Sequence, residues 1–169
     1  MIEKIPDIIQ KMIDMSNGNL HDINHFMKVY AFSRIIGLLE GLPEITQTIL
    51  EAAAVIHDIA CPLCREKYGN TNGKFQEQEG LPLARNFLSD VNLSDEMKER
   101  IIYLVSHHHT YADVDGADYQ ILLEADFLVN ADEGKIPLDA IRTARERLFK
   151  TEAGINLLDS MYLCSCAVK

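Results

Sequence analysis

An all-α fold is what the sequence predicts, and three observations carry that prediction. Apolar residues recur at helical spacing through most of the 169 residues, and no stretch alternates convincingly with a period of two. Leu, Ile and Ala are abundant, which favours packed helices. Aromatic residues make up only 7% and Trp is absent, which counts against a β-sandwich. A 47% hydrophobic content over this length supplies a full core, and no repeat, low-complexity tract or linker divides it, so one domain over 1–169 is expected.

The first helix is expected over 5–15, amphipathic and broken by Ser16-Asn17-Gly18-Asn19. The second covers 21–39. Its apolar face includes Val29, Phe32, Ile36 and Leu39, and stepping back by four from Val29 reaches His25, then His21. Gly41-Leu42-Pro43 ends it, and Pro43 suits the first turn of a third helix over 44–60. Near the end of that helix stand Ala52-Ala53-Ala54-Val55-Ile56-His57-Asp58. These small and branched residues read as a segment through the centre of the molecule. The helix stops at Cys61-Pro62, and 62–74 is polar and loop-like, with Arg65, Lys67 and Lys74 as its cations. Helical pattern returns over 76–88, irregular at its start because of Gly80 and Pro82. Ser94-Asp95-Glu96 opens a helix reaching about residue 105, before Ser106-His107-His108-His109-Thr110 and an acidic, turn-rich loop over 111–118. The next helix, 119–130, sets Asp126 among Leu122, Leu123 and Val129. Two more, over 137–150 and 153–163, are expected to pack on a core of 19–134.

The formal net charge of −10 at pH 7 opposes non-specific binding to nucleic acid or to an anionic membrane. No run approaches transmembrane length, and residues 1–7 mix charges with apolar side chains, unlike a secretory leader. Cys166-Ala167-Val168-Lys169 has the outline of a prenylation box, but Lys is not a usual final residue there. Four cysteines without an export signal suit reduced thiols in the cytoplasm. Cys61 and Cys64 have zinc-knuckle spacing, yet their only mates, Cys164 and Cys166, lie a single residue apart, so a structural zinc is disfavoured. Asp113, Asp115 and Glu124 read as an acidic turn rather than a calcium loop, and Arg34, Arg142 and Arg145 as solvated helix faces.

An ionised Asp58 in a buried segment costs several kcal/mol unless something positive compensates it, and no Lys or Arg lies between Arg34 and Arg65. The other polar residues set where a core should be are His25, His57, His109 (with its neighbours His107 and His108) and Asp126. They come from four helices or helix ends. Imidazole and carboxylate suit Fe, Mn, Zn, Co or Ni, and carboxylate also suits Mg, so one or two divalent ions are expected between the central helices. Neighbouring helical residues diverge by about 100°. An ion shared by His57 and Asp58 therefore sits between their directions, facing the second helix and the Asp126 helix. Of the three consecutive histidines, His109 is favoured to point inward, His108 next, with His107 at the surface or beside substrate.

His25, the doublet His57-Asp58, a His within 106–110 and Asp126 in Glu124-Ala125-Asp126 form an ordered set over roughly 21–130. That set resembles the HD-domain superfamily of metal-dependent phosphohydrolases. The resemblance implies an HD-type helical bundle with a divalent metal held by His25, His57, Asp58 and Asp126. Binuclear members add two more His ligands; His109 or His108 is the natural match here, and His21 and Glu79 are further candidates. The activity implied is hydrolysis, a metal-activated water attacking the phosphate ester of a small phosphorylated compound, foremost a nucleotide. Asp58 or Asp126 would orient the water, and Arg65, Lys74, Lys28 and Asn130 are the candidates for holding substrate.

Three departures from the family pattern stand out. Binuclear members carry a His in the region matching 76–80, and here Glu79 or Glu77 would have to replace it, or the site holds one metal. Some nucleotidases of the family carry a Glu base three positions after the doublet's Asp, where this chain has Cys61. The stretch His108-His109-Thr110-Tyr111 onward is similar to the corresponding element of HD-GYP phosphodiesterases but lacks their Glu and their Gly-Tyr-Pro, so cyclic-dinucleotide cleavage is not expected. The alternatives are an HD-type diiron oxygenase and a metal-containing module that binds a nucleotide without turnover. Neither nucleic acid nor a membrane is an expected partner, and a homodimer is left open.

Overall fold

The computed structural model describes residues 4–164, and among them it has nine α-helices, a closing π-helical turn and no strand. In chain order these are α1 (Lys4–Met15), α2 (Leu20–Leu39), α3 (Glu44–Ile56), α4 (Cys61–Tyr68) and α5 (Gly73–Leu88). They are followed by α6 (Asp95–Val105), α7 (Ala117–Glu133), α8 (Leu138–Arg147), α9 (Glu152–Leu158) and the π-helical turn Asp159–Leu163. Side-chain caps set several starts: Asn19 accepts from the amide of Asp22, Asn72 from Lys74, Ser94 from Met97 and Thr151 from Gly154. Each satisfies one amide that a helix start leaves without an internal partner. None of the described helices is long and apolar enough to cross a membrane.

α3 is the centre of the molecule, in contact with α1, α2, α6 and α7, while α2 also packs along α7. Ala52, Ala53 and Ala54 are all fully buried. The distance between packed helices follows the side chains at the contact, so a run of alanines lets several neighbours close on one helix. Ile36 and Val29 of α2, Leu104 of α6 and Leu122 of α7 complete this layer, each fully buried. At the C-terminal end, α9 lies against α7 and α2: the amide of Ala153 donates to Glu40 at 2.7 Å, and the Tyr162 hydroxyl donates to the Leu128 carbonyl at 2.7 Å.

Four features differ from the sequence expectation. α3 ends at Ile56 rather than near 60, and the His57-Asp58 doublet lies in the turn that follows, closed by bonds from Ile59 N to Ile56 O and from Cys61 N to Asp58 O. The segment expected as loop from 62 contains α4, because Pro62 occupies the first turn of a helix and does not merely stop the preceding one. Gly69, at φ +71°, closes it in the left-handed conformation that a side chain would resist. α5 begins three residues early, at Gly73, and runs through Pro82. α7 extends one turn past residue 130, to Glu133. Of the terminal features read from sequence, Cys166 and the box it opens lie outside the described residues.

Candidate metal centre

The four central helices each deliver one part of a polar cluster. His25 sits on the buried face of α2, in line with Val29 and Ile36. Asp126 projects from the α7 segment in which Leu122, Leu123, Leu128 and Val129 are buried. The remaining histidines stand at helix ends, and the same local bond orients two of them. The ring of His57, at the end of α3, donates from Nδ1 to the Ala54 carbonyl at 2.8 Å; the ring of His108, just past α6, donates from Nδ1 to the Val105 carbonyl at 2.8 Å. Each takes a carbonyl three residues back, one of the acceptors a helix C-terminus leaves over.

These rings and carboxylates converge. His25 Nε2 lies 3.3 Å from His57 Nε2, 3.3 Å from Asp58 Oδ2 and 3.3 Å from Asp126 Oδ1. His57 Nε2 is 3.6 Å from the same Asp58 oxygen and 3.5 Å from the same Asp126 oxygen. The other Asp58 oxygen, Oδ1, is 3.4 Å from His108 Nε2. Two groups capable of holding an ion follow: His25 with His57 and Asp58, and Asp58 with His108 and His109. Asp58 belongs to both, one oxygen toward each, and keeps a quarter of its side chain exposed to the cleft.

The chemistry of the donor set decides what fits. His25 Nδ1 donates to Glu133 Oε2 at 2.7 Å, as His57 and His108 donate to carbonyls. With Nδ1 protonated in all three rings, a neutral imidazole presents a lone pair at Nε2. Those lone pairs face one another and carboxylate oxygens. The Nε2 atoms of His108 and His109 are buried with no hydrogen-bond partner. Acceptors meeting acceptors need a cation between them, and imidazole with carboxylate is a set that suits a divalent metal.

Titration behaviour reports the same imbalance. Burial works against a charged His25, but the hydrogen bond to Asp126 and the charges of Asp58 and Asp126 outweigh it and push its pKa up to about 9. Burial likewise works against ionised Asp58 and Asp126, and the neighbouring imidazoles hold both well below the usual carboxylate range. His109 moves the other way: burial, then the charge of His108, lowers it to about 4. Burial and the adjacent Asp58 push the Cys61 thiol far up, so it stays protonated and donates to Gln76 Oε1 at 3.2 Å.

Of the other residues named from sequence, His21, Arg65, Asn130 and His109 line the cleft of about 400 Å³ in which the cluster sits. Arg65 is held there by Asp22, and Asn130 donates to Asp126 Oδ1 at 2.8 Å. Lys28 is paired with Glu133 at 3.0 Å, behind His25. Lys74 is exposed and does not line the cleft, and Glu79 is not with the cluster either. The early start of α5 buries Gln76 and Gly80 and turns Glu79 toward α4, where it accepts from Lys67 at 2.7 Å and from the Tyr68 hydroxyl at 2.6 Å. His107 stacks on Tyr103 and donates to its carbonyl at 2.8 Å. Arg34, expected on a solvated face, pairs with the buried Glu51 at 2.7 Å.

Three residues of the site were not read as such from the sequence. Glu133 orients His25, and Gln76 enters the cleft wall. Glu77 accepts from the His109 amide at 3.1 Å and the Thr110 hydroxyl at 2.9 Å, fixing the turn that carries the histidines. From sequence, Glu77 is a candidate only as a substitute metal ligand. The position of Gly73 adds a constraint: a Cβ there would meet the His109 ring at 2.6 Å.

The family model for the HD domain matches residues 22–147, from the second helix to the end of α8. No curated protein and no solved structure matches the chain.

Proposed function

The chain belongs to the HD-domain family, and from that premise we propose that it is a metal-dependent phosphohydrolase acting on a small phosphorylated compound, with a nucleotide as the favoured class. HD domains bind divalent metals, and one observation here carries the reading: the Nε2 lone pairs of His25, His57 and His108 converge on Asp58 and Asp126. His25, His57, Asp58 and Asp126 would hold one ion, and Asp58, His108 and His109 a second. A divalent ion in such a site supplies Lewis acidity, polarising a phosphoryl oxygen and making water acidic enough to ionise near pH 7.

The chain's own residues do the rest. Asp126 gathers His25, His57 and Asn130 on Oδ1, which leaves Oδ2 as the oxygen to orient an attacking water. Asn130 keeps that carboxylate turned. Arg65, on the cleft wall, is a planar donor suited to phosphate oxygens, and a substrate phosphate would compete with Asp22 for it. Cys61, a protonated thiol on the same wall, is not a general base.

Metal analysis of freshly purified protein, followed by a panel of nucleoside mono-, di- and triphosphates and sugar phosphates, tests this. We expect bound divalent metal, release of phosphate or nucleoside phosphate from a subset of the panel, and loss of both in Asp58→Ala. A metal-loaded protein that cleaves nothing across the panel would falsify it. Two metal groups sharing Asp58 also suit an iron-pair oxygenase. Substrate-dependent oxygen uptake by iron-loaded protein, without phosphate release, would favour that second reading.

A further inference from the structure

A second cavity, of about 550 Å³, opens on the neighbouring face of α7, and none of its lining residues belongs to the metal cluster. Its walls are apolar: Leu123 and Phe127 from α7, Val114 from the loop before it and Leu148 from the end of α8. That volume lies within the roughly 300–1,000 Å³ typical of small-molecule sites. Its charged lining is the reverse of the metal cleft's, consisting of Arg147 and Lys150.

Neither cation is matched by a carboxylate among the described residues. Arg34, Arg65, Arg85, Arg100, Arg142 and Arg145 each pair with a carboxylate. Arg147 is the one arginine that has no carboxylate at ion-pair distance among the described residues. Lys150 also has none: its backbone amide donates to Glu124 at 2.6 Å, and its side chain is left to the cavity rim. Lys74, Lys98 and Lys135 also lack a carboxylate at ion-pair distance among the described residues, but none of them lines this cavity. Arg147 and Lys150 stand together beside its apolar walls, a pairing that suits an outside anion. The amide nitrogen of Gln120, also in the wall, is committed to Glu124 and the Leu148 carbonyl.

We propose that this cavity binds a small amphipathic anion. Its apolar body lies against Leu123, Phe127, Val114 and Leu148, and its carboxylate, sulfonate or phosphate lies between Arg147 and Lys150. Tyr111 lines the same cavity two residues after His109, and Phe127 follows Asp126 directly, so the occupant sits next to the metal cleft while using separate residues. The proposal is independent of any hydrolytic activity.

Fluorescence titration of the full chain with anilinonaphthalene sulfonate, against the neutral phenylnaphthylamine, tests it. One sulfonate probe per chain is expected, with affinity falling about tenfold or more for the neutral probe and for the double variant Arg147→Gln/Lys150→Gln. Both side chains are exposed, and an unchanged circular-dichroism melt will verify that the variant folds. Val114→Trp, which fills the cavity from a loop, should abolish binding while leaving metal content untouched. Competition by octanoate or by octyl phosphate identifies the preferred headgroup. Equal affinity for the neutral probe, an unaffected double variant, or displacement by neither competitor overturns the proposal.

Discussion

Glu124 and Asp126 sit two residues apart on α7, both buried, and face opposite kinds of neighbour. Glu124 is surrounded by donors: the amides of Lys150 at 2.6 Å and Thr151 at 3.0 Å, the Thr151 hydroxyl, and the Gln120 side chain at 2.8 Å. Asp126 takes one amide donor, from Asn130, and otherwise looks at ring nitrogens whose Nδ1 protons are spent on the far side, so that each Nε2 is left to a proton or a metal ion. A carboxylate among N–H and O–H groups is already compensated. One among lone pairs is not, and requires a cation. Burial and acidity alone therefore do not identify a metal ligand; the supply of protons around the carboxylate does.

The largest effect should come from removing the carboxylate both ion groups share. Asp58→Ala is expected to lower metal affinity by about 10²-fold or more, beyond what loss of an orienting partner costs, and to abolish turnover. Equilibrium dialysis against Zn²⁺ and Mn²⁺ reads this directly, and retention of stoichiometric metal would break the comparison. Glu124→Ala should do the reverse. It strands three backbone and hydroxyl donors at about 1–3 kcal/mol each, so a loss of about 3 kcal/mol or more is expected in urea unfolding, with metal per chain unchanged. If it strips metal instead, the two carboxylates do not have separate roles.

Glu133→Gln probes the intermediate case, a carboxylate acting through His25. The amide keeps the packing but supplies a weaker acceptor to Nδ1, and metal affinity should fall about 10- to 100-fold with little change in melting of metal-free protein. A smaller effect concerns pH. The His25 pKa, about 9 when folded, exceeds its unfolded value of about 6.5, so its stabilising contribution is complete below the lower value and disappears as pH rises through the upper one. Metal-free protein should therefore melt a few degrees lower at about pH 10 than at about pH 6. An ion takes the place of that proton, so loaded protein should show less of the drop. Identical pH dependence with and without metal would detach His25 from the ion site.

Much of this was legible in the sequence for a definite reason. A polar residue placed in an apolar periodic stripe, as His25 is with Val29 and Ile36, identifies itself without tertiary information, and so does Asp126 among its leucines. Helix starts were legible where a side chain caps them, as Ser94 does α6. Glu133 was not, because Asp132-Glu133-Gly134 reads as any polar helix end, and only the packing of α2 on α7 turns one of the two acids onto His25. Gln76 depended on the phase of α5, which shifts with its cap at Asn72. The cations were the least legible: Lys28, Arg65 and Lys67 are placed by the carboxylates they find on other elements, which no local pattern encodes.

The bonds from His57 to Ala54 and from His108 to Val105 have a further consequence. Each one orients a ring and also secures the last turn of a helix, so ions held by the two rings and joined through the shared Asp58 would tie the ends of α3 and α6 to each other. Amide hydrogen exchange at those two ends, nearly fifty residues apart along the chain, should slow together on loading, while the start of α6, near its Ser94 cap, exchanges as before.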